Sequence, residues 1–428
     1  MTPSARLAAV IEILDEIASR PGPADAIFAN YVRARRFIGS KDRADIAERV
    51  FGIFRRRARL AWWLERHGAP LTARLLVLAD LLVVQGIGPD RLRALFGGGR
   101  YEPAPLRPEE AALGGALAGK PLEHEEMPER VRLECPEWAE QALRSSLGAS
   151  FATELRALQA PAAVDLRVNV LKASRDEARS ALARDGIVTV PTGLSPWGLR
   201  AEGRPAISAT TAFRDGLVEV QDEGSQILAY LLDARPGMQA VDFCAGAGGK
   251  TLAIAATMAN KGRVIACDIS GRRLDRAGIR LRRAGAHNVE RRPLKTERDP
   301  WVKRHKGMFD RVLVDAPCSG VGTWRRNPDA RWNRLGPDLD ELAALQRSIL
   351  TSAARLVKPG GRLLYATCSM LRRENEDCVD AFLQEHPGFR PVPPPAGLSC
   401  GSDKWLRLTP ARHGTDGFFA ALMERSPA

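Results

Sequence analysis

The feature that most constrains the fold is a repeated order of strand, tight turn and helix after residue 238. Helical segments with apolar residues three and four positions apart, such as Leu274, Ala277 and Leu281, separate the strand-like runs. This alternation is typical of a doubly wound, Rossmann-like α/β sheet with parallel strands. Near the end of the chain, two strand-like runs flank a turn-rich segment, which predicts an antiparallel terminal strand. The strand-like runs lie at Ala240–Phe243, Val264–Cys267, Phe309–Val314, Gly361–Thr367, Trp405–Leu408 and Phe418–Met423.

The part of the chain before residue 238 has a different pattern. Residues 1–95 are predicted to be helical, because apolar residues recur at helical spacing. Residues 97–130 are rich in Gly, Pro and Glu and indicate a connector. Short strand-like and helix-like pieces then alternate over residues 164–220. We therefore expect three domains, which are a helical domain with its connector over 1–130, a small α+β subdomain over 131–235, and the Rossmann-like domain over 236–428.

The chain is strongly basic, with a formal net charge of +13 at pH 7. Of its 64 basic residues, 54 are Arg, whose planar guanidinium suits phosphate binding and stacking on bases. A polyanionic partner, most simply nucleic acid, is favoured. An Arg-rich composition that reflects codon bias is the alternative. Basic residues are dense in segments 33–43 and 271–306, and each segment is either a phosphate-binding surface or a solvated helix.

Cysteine usage and hydropathy indicate the compartment. The seven cysteines form no CxxC pair and no Cys/His ligand spacing, which predicts free thiols in a reducing cytoplasm and no metal site. The longest apolar run, Leu75 to Val84, is short and contains Asp80, so no membrane segment is expected. Acidic residues interrupt the apolar stretch at the N-terminus, so no signal peptide is expected either.

A glycine-rich loop, Asp242–Thr251, joins the first strand of the Rossmann-like domain to its first helix. Small residues there let backbone amides approach a ligand closely. A P-loop would need Gly at position 244, which is Cys, and a dinucleotide fingerprint would need Gly at position 251, which is Thr. S-adenosylmethionine is the third ligand to consider, and Asp268 at the end of the second strand is placed to bind its ribose. A purely structural turn stays open on this loop alone.

Two cysteines follow neighbouring strands of the predicted sheet. Cys318 comes shortly after the strand that ends at Val314, and Cys368 closes the strand that ends at Thr367. Because ligands of an open α/β sheet bind beyond the carboxyl ends of its strands, we expect both thiols to face one crevice. A thiolate that adds to C6 of cytosine makes C5 enamine-like and able to accept a methyl group. The other cysteines do not pair up at neighbouring strand ends beside the glycine loop, so a structural role is predicted for Cys135, Cys267, Cys378 and Cys400.

Together these motifs resemble the Sun/Fmu, or RsmB-type, family of RNA cytosine-C5 methyltransferases. The resemblance covers about residues 130–428, and the two cysteine motifs are its most specific part. Residues 1–95 are similar to NusB-type RNA-binding helical domains. The resemblance is carried by Asp242–Thr251, Asp315–Gly320, Arg325–Asp329, Tyr365–Ser369, Val220–Gln226, Leu166–Asn169 and Gly414–Phe419.

The resemblance implies roles for individual residues. It makes Cys368 the nucleophile and Cys318 the group that assists product release. It places Asp315 between methyl donor and base, and Lys250 near the reacting base. The methyl donor is S-adenosylmethionine, and its site is expected to include Cys244, Ala245, Gly246, Gly248, Gly249, Lys250, Asp268 and Asp315.

One motif of the family is missing from this sequence. The family usually has an acidic residue after the third strand, where it contacts the adenine of the donor. Here residues 288–295 contain no Asp at that place. Glu297 and Asp299 are the two residues that could replace it, and the sequence does not choose between them.

The resemblance also implies the reaction, which is S-adenosylmethionine-dependent methylation of a cytosine C5 in RNA through a covalent cysteine–C6 adduct. A 16S rRNA substrate leads, because the NusB-like front belongs to the rRNA-modifying branch. A tRNA substrate and a non-catalytic RNA-binding ribosome assembly factor are the alternatives. A DNA enzyme is less favoured, because it would use the thiol of the Pro-Cys motif, Pro317-Cys318 here, as its nucleophile. We expect a cytoplasmic monomer that binds RNA and no membrane.

Overall fold

The computed structural model describes residues 1–333, 336–398 and 404–427. Cys400 therefore lies outside the described residues. The chain divides into two compact units, a helical unit of Met1–Pro161 with Trp324–Gly336 and an α/β unit of Ala162–Thr323 with Pro337–Ala428. No helix in the described part of the chain is long and apolar enough to cross a membrane.

In its described residues, the helical unit contains ten α-helices. The apolar positions at helical spacing in its first helix, Leu7, Val10, Leu14 and Ile17, are all buried. They share one core with residues of the later helices, among them the buried Trp63. The helices are α1 Pro3–Ser19, α2 Ala24–Ala34, α3 Ser40–Arg55, α4 Arg57–Arg66, α5 Ala73–Val83, α6 Pro89–Leu95, α7 Pro108–Leu117, α8 Glu129–Arg132, α9 Glu137–Leu147 and α10 Phe151–Gln159.

The segment predicted to be a connector, 97–130, contains a helix of its own. Helix α7 begins at Pro108, and Glu110 in its first turn is buried between two guanidinium groups. Arg74 and Arg107 both donate to this carboxylate, with the nearest N–O distances at 2.8 and 2.9 Å. These hydrogen bonds hold the pKa of Glu110 at about 2. The pairing stabilises a helix that composition alone did not indicate.

The structure divides the chain elsewhere than at the predicted boundary between residues 130 and 131. Residues 131–161 group with the helical unit, and so does the distant segment Trp324–Gly336. The side chain of Arg331 is fully buried there and donates to the carbonyl oxygens of Glu134 and Leu158 at 3.1 and 2.6 Å. The helical unit is thus completed by residues that follow the Cys318 motif in sequence, a long-range pairing that no local pattern reveals.

The α/β unit begins with a small antiparallel sheet of four strands in the order β2-β3-β1-β4. Two helices belong to the same region, and a separate apolar cluster fills it. Its elements are β1 Val164–Val168, α11 Arg175–Arg184, β2 Thr189–Pro191, β3 Gly198–Ala201, α12 Thr211–Arg214 and β4 Val218–Val220.

The remainder of the α/β unit is built on an eight-stranded sheet in the order β10-β12-β9-β8-β5-β6-β7, with β11 paired to β12. Strands β5 to β9 pair in parallel, whereas β12 is antiparallel to β9. The predicted doubly wound sheet with an antiparallel terminal strand is confirmed. The elements are α13 Glu223–Leu231, β5 Gln239–Asp242, α14 Gly249–Thr257, β6 Arg263–Asp268, α15 Gly271–Ala284, β7 Val289–Pro293, α16 Pro300–Arg304, β8 Phe309–Asp315, α17 Leu339–Ala354, β9 Val357–Thr367, α18 Glu376–Glu385, β10 Phe389–Val392, β11 Leu406–Leu408, α19 Pro410–His413 and β12 Phe418–Arg425.

The strand order of this sheet fixes where a ligand binds. From β5 the chain proceeds outward through β6 and β7, and it then returns to the other side of β5 through β8 and β9. The order therefore reverses between β5 and β8. In open α/β sheets the crevice outside the carboxyl ends of strands at such a point is the binding site. The glycine loop after β5 and the Pro-Cys motif after β8 both lie at this place.

Candidate active site

A cavity of about 440 Å³ opens at the carboxyl ends of β5, β6 and β8. Seven of the eight residues predicted for the donor site line it, and only Gly248 does not. Apolar walls come from Ile269, Leu294, Leu345 and Ile349. The predicted residues that line the cavity are Cys244, Ala245, Gly246, Gly249, Lys250, Asp268 and Asp315.

The donor loop, Asp242–Thr251, takes its shape from two glycines in the left-handed region. Gly246 has φ +55° and Gly248 has φ +80°. A Cβ added at Gly248 would lie 2.9 Å from the Cβ of Ala277 in α15, whereas one added at Gly246 would meet nothing within 4 Å. Gly248 therefore permits the turn and the close approach of α15, while Gly246 lines the cavity.

Asp268, at the end of β6, is held by two backbone N–H groups. Its carboxylate accepts from Gly246 at 2.8 Å and from Ser270 at 2.7 Å. A carboxylate has about four acceptor positions, so lone pairs stay available to a ligand. Asp268 thus fixes the donor loop and still lines the cavity with acceptor capacity.

The structure distinguishes the two acidic residues that the sequence left open for the adenine contact. Glu297 lines the cavity, and it accepts from the Ser348 hydroxyl at 2.8 Å. Asp299 instead caps helix α16, where it accepts from the backbone of Trp301 and of Lys295 at 2.9 Å each. Glu297 is therefore the acidic residue that can reach a ligand in the cavity.

Asp242 is a cavity residue to which the sequence analysis assigned no role. One carboxylate oxygen accepts from the Thr251 hydroxyl at 2.6 Å. The other is buried and has no hydrogen-bond partner among the described residues. Burial raises the pKa of Asp242 to about 7. The available signal was an acidic residue at a strand end, at the first position of the glycine loop.

The two predicted catalytic thiols lie together. The sulfur atoms of Cys318 and Cys368 are 3.3 Å apart. The thiol loops that carry them, Ala316–Gly320 and Cys368–Leu371, follow the parallel neighbours β8 and β9. A hydrogen bond with Cys368, burial and the charges of Cys368 and Glu374 raise the pKa of Cys318 well above its ordinary value. Cys318 is therefore a protonated thiol near neutral pH.

Lys250 and Asp315, the other predicted catalytic pair, form an ion pair with a Nζ–Oδ2 distance of 2.6 Å. Burial alone would lower the pKa of Lys250, but the charge and hydrogen bond of Asp315 raise it above its ordinary value. The charge of Cys368 also contributes to this raised pKa. The ammonium group consequently lies within electrostatic reach of the predicted nucleophile.

The other cysteines have no comparable surroundings. Cys135, Cys267 and Cys378 are buried, and burial raises the pKa of each. Cys244 lines the cavity, and burial raises its pKa well above the ordinary value. Within residues 1–333, 336–398 and 404–427, no three His, Cys, Asp or Glu side chains are arranged to hold a metal ion.

Comparisons with known proteins agree with this geometry. Residues 229–424 match a family model described as the 16S rRNA methyltransferase RsmB/F. Residues 135–208 match a model described as the ferredoxin-like domain of RsmF/B-like methyltransferases. That model begins near the predicted start of the small subdomain at 131 and spans the boundary between the two compact units.

Two curated relatives illustrate the extent of the similarity. The ribosomal RNA small subunit methyltransferase B of Sodalis glossinidius is 34% identical over 419 residues, which cover 90% of each chain. The probable ribosomal RNA small subunit methyltransferase B of a Synechocystis strain is 35% identical over 302 residues, or 68% of this chain and 67% of the relative.

Solved structures give the same result. The crystal structure of the protein PH0851 is similar over 99% of both chains, with a TM-score of 0.80 and 29% identity. A methyltransferase homolog protein from Pyrococcus horikoshii matches 69% of this chain and 97% of its own, with a TM-score of 0.59 and 28% identity. The chain belongs to the RsmB/F family of S-adenosylmethionine-dependent RNA methyltransferases.

Proposed function

We propose that the protein methylates C5 of a cytosine in 16S rRNA through a covalent adduct between Cys368 and C6. The observation that carries this proposal is the 3.3 Å contact between the sulfurs of Cys368 and Cys318. Both thiols lie at the carboxyl ends of neighbouring strands, beside the Lys250–Asp315 pair. Two thiols in contact are what a reaction needs when one forms a carbon–sulfur bond and the other helps to break it.

The first half of the reaction belongs to Cys368. Its sulfur forms a bond to C6 of the base, and the electrons of the C5–C6 double bond make C5 nucleophilic. S-adenosylmethionine, when bound, supplies the electrophilic methyl group that C5 takes up. Lys250 holds a positive charge beside the reacting base, and its ion pair with Asp315 fixes the position of the ammonium group.

The second half restores the aromatic ring. The C5 proton leaves to a base, the C5–C6 double bond forms again, and the C6–S bond breaks with its electron pair returning to Cys368. Cys318 is a protonated thiol in hydrogen-bond contact with that sulfur. It can therefore donate a proton to the departing sulfur, which makes the elimination harder to reverse.

The donor site is assigned from the cavity lining. We expect Asp268 to accept from the ribose hydroxyls, Glu297 to contact the adenine, and the free oxygen of Asp242 to face the positively charged end of the donor. The backbone of Gly246 and its neighbours supplies the close approach that the ligand needs.

The other regions are assigned to RNA. We infer that residues 1–130 contain a NusB-like RNA-binding domain and its connector, that residues 131–235 recognise RNA, and that residues 236–428 carry out the transfer. The net charge of +13 supports binding to a polyanion. The six described cysteines are free thiols, which suits a reducing cytoplasm. We further propose that the protein acts as a monomer.

Bisulfite sequencing of total RNA from a deletion strain tests the substrate. We expect one cytosine of 16S rRNA to lose its methyl mark and to regain it with the wild-type gene but not with Cys368→Ala. A lost mark in tRNA would replace the rRNA assignment with the tRNA alternative. If the methyl mark returns with Cys368→Ala and also with Cys318→Ala, the non-catalytic assembly factor would be favoured.

A further inference from the structure

Glu374 lies behind the thiol loops and receives hydrogen bonds from both of them. Its side chain is fully buried. One carboxylate oxygen accepts from the backbone N–H of Ser319 at 2.7 Å and from Gln346 at 3.1 Å. The other accepts from the hydroxyls of Ser319, at 2.5 Å, and Ser369. Ser319 directly follows Cys318, and Ser369 directly follows Cys368, so one carboxylate joins the two motifs.

The backbone that carries Glu374 is itself anchored to β9. The hydroxyl of Tyr365 donates to the carbonyl oxygen of Glu374 at 2.7 Å. The amide of the next residue, Asn375, donates to the carbonyl oxygen of Ser369 at 2.9 Å and accepts from Thr367 at 2.5 Å. The carboxylate is thus held in place before it receives the thiol loops.

We propose that Glu374 is a positioning residue that couples the two thiol loops and sets the distance between Cys318 and Cys368. A carboxylate only accepts hydrogen bonds, and four donors from three segments fill its acceptor positions. Removing it leaves these donors without their shared acceptor, so the loops are joined less firmly, by contacts such as the 3.3 Å one between the Ser319 and Ser369 hydroxyls. The inference rests on the proposed function for its catalytic meaning, but the distance between the sulfurs can be tested without it.

The test compares Glu374→Gln with Glu376→Gln in the full-length protein. Glu376 is a buried neighbour whose carboxylate pairs with Arg407 and receives no hydrogen bond from the thiol loops. We expect Glu374→Gln to lower kcat for RNA methylation roughly 10- to 100-fold, because a displacement of about 1 Å costs that much. KM for the donor and for RNA should change less than about threefold.

A second measurement reports the thiol distance with no RNA present. Diamide oxidises the two thiols to a disulfide, and two electrons and two protons pass to its azo bond. Mass spectrometry of the linked peptides then gives the rate. We expect Glu374→Gln to slow this reaction at least about tenfold relative to Glu376→Gln. Equal rates and equal kcat values in the two variants would overturn the role of Glu374.

Two further variants protect the test against misfolding. Ser319→Ala and Ser369→Ala each remove one hydroxyl donor and leave the carboxylate in place. Each should give a smaller loss of kcat than Glu374→Gln, and wild-type values for both would contradict the coupling. If the wild type methylates no RNA but Glu374→Gln still slows disulfide formation, the proposed function fails while the positioning role stands.

A separate observation concerns the loop between α2 and α3 in the helical unit. Phe37 in this loop has 71% of its surface exposed. Arg33, Arg36, Lys41 and Arg43 around it are also exposed. A single exposed ring is ordinary on a protein surface, so Phe37 is informative only together with the cations around it. An exposed ring among cations is the arrangement that binds single-stranded nucleic acid, whose bases stack while its phosphates pair with the cations.

The acidic residues near this loop do not neutralise it. Asp42 pairs with the N-terminal amine and with Arg6. Glu12 pairs with Arg35 at 3.4 Å, and the guanidinium of Arg35 lies over the Tyr31 ring. No acidic group lies within ion-pair distance of the other cations of this segment in the described part of the chain. The loop therefore presents an uncompensated positive surface.

We infer that the α2–α3 loop binds single-stranded RNA with Phe37 as a stacking platform. This deepens the proposed function, since it names the form of RNA that the helical unit recognises. Fluorescence anisotropy of a labelled single-stranded RNA with the full-length protein tests it. Phe37→Ala should weaken binding roughly 5- to 150-fold, the range that corresponds to about 1–3 kcal/mol per stacked base. Phe37→Trp should restore binding.

Tyr101→Ala is the matched control, because Tyr101 is 65% exposed in the same unit but lies outside the loop. It should bind like the wild type. Arg36→Ala and Arg43→Ala should each reduce the salt dependence of binding by about 0.7 in log–log slope. Equal RNA affinity of Phe37→Ala and Tyr101→Ala would overturn the assignment. A loss by Phe37→Ala on duplex RNA as large as on single strands would contradict stacking.

Discussion

The donor loop and the thiol loops are held in their conformations by different interactions. The donor loop is shaped by backbone, with left-handed Gly246 and Gly248 and one carboxylate, that of Asp268, accepting from a backbone N–H. The thiol loops are shaped by side chains that converge on Glu374. The first arrangement suits a ligand that enters and leaves, because backbone amides stay open to it. The second suits a reaction whose two thiols must keep their spacing.

The largest expected effect lies in the thiol loops and separates the two cysteines. Cys368→Ala should abolish methylation and give no covalent complex, because the bond to C6 cannot form. Cys318→Ala should accumulate the protein bonded to its methylated RNA, because only the elimination is impaired. Denaturing gel electrophoresis with labelled RNA and the methyl donor measures both outcomes.

The pattern of trapping is itself the control on this assignment. A stable complex with Cys368→Ala instead of Cys318→Ala would reverse the roles and make the protein act as the DNA enzymes do. Cys378→Ala serves as a comparison, because Cys378 is a buried thiol outside the thiol loops. It should retain activity, and equal activity in all three variants would contradict the two-cysteine mechanism.

The second prediction contrasts the two glycines of the donor loop. Gly248→Ala places a methyl group in the left-handed region and 2.9 Å from the Cβ of Ala277. It should lower the free energy of unfolding by about 2–4 kcal/mol, of which about 1–2 is backbone strain and the remainder is overlap. Gly246→Ala carries the strain alone and should cost about 1–2 kcal/mol.

Urea unfolding of both variants measures this difference in stability. Donor titration should rank the variants the other way: Gly246 lines the cavity, so Gly246→Ala should bind the donor more weakly than Gly248→Ala does. Equal stability of the two variants would mean that α15 yields to the added methyl group. Gly248 would then have no packing role.

The contrast between the loops also explains what the sequence could predict. Gly246 and Gly248 are separated by one residue in a motif whose spacing indicates a loop after a strand, so the position of this loop in a parallel sheet was predictable. Cys318 and Cys368 were recognisable because each follows the end of a strand. The cavity then contains seven of the eight expected donor residues, and Gly248 is explained by its packing against Ala277.

The parts that the sequence did not predict depend on contacts between distant residues. Glu374 meets Ser319 across 55 residues, and Arg331 in the helical unit meets Leu158 across 173. No local spacing marks such partners. The role of Glu297 was open for a related reason, because only the folded loop shows that Asp299 is used as a helix cap while Glu297 reaches the cavity.

The third prediction tests Asp268, whose carboxylate accepts from the backbone N–H of Gly246 in the donor loop. Asp268→Ala should raise the donor Kd roughly 5- to 150-fold, the equivalent of about 1–3 kcal/mol for polar groups left without a partner. Isothermal calorimetry measures it. Asp299→Ala is a matched control, because Asp299 also accepts from two backbone N–H groups but lies outside the cavity. An unchanged Kd for Asp268→Ala would remove this residue from the donor site.

The smallest expected effect is a pH dependence that originates at Asp242. Its pKa is raised to about 7 by burial, so without donor it is mostly protonated at pH 6 and mostly ionised at pH 8. A positively charged donor favours the ionised form, and its binding should therefore release a proton and strengthen as pH rises. Asp242→Asn cannot titrate at this position, so the pH dependence of its donor affinity shows the contribution of the donor's own ionisable groups. The ratio of wild-type to variant affinity should increase about tenfold between pH 6 and pH 8.

The stability of the donor-free protein should fall as pH rises, whereas donor affinity rises. This difference separates the titration of Asp242 from a general effect of pH on the protein. The native state holds a proton on Asp242 up to about pH 7, whereas an unfolded chain releases it near the ordinary Asp pKa of 3.8. Between these two values the native state binds more protons, so the unfolding free energy of the donor-free protein falls as pH rises. Urea unfolding of wild type and Asp242→Asn from about pH 4.5 to about pH 7.5, which lies mostly between these two pKa values, should show the unfolding free energy falling more steeply for the wild type. Parallel curves, together with an affinity ratio that does not change with pH, would mean that Asp242 keeps its charge in the folded protein and that the donor loop carries no proton to release.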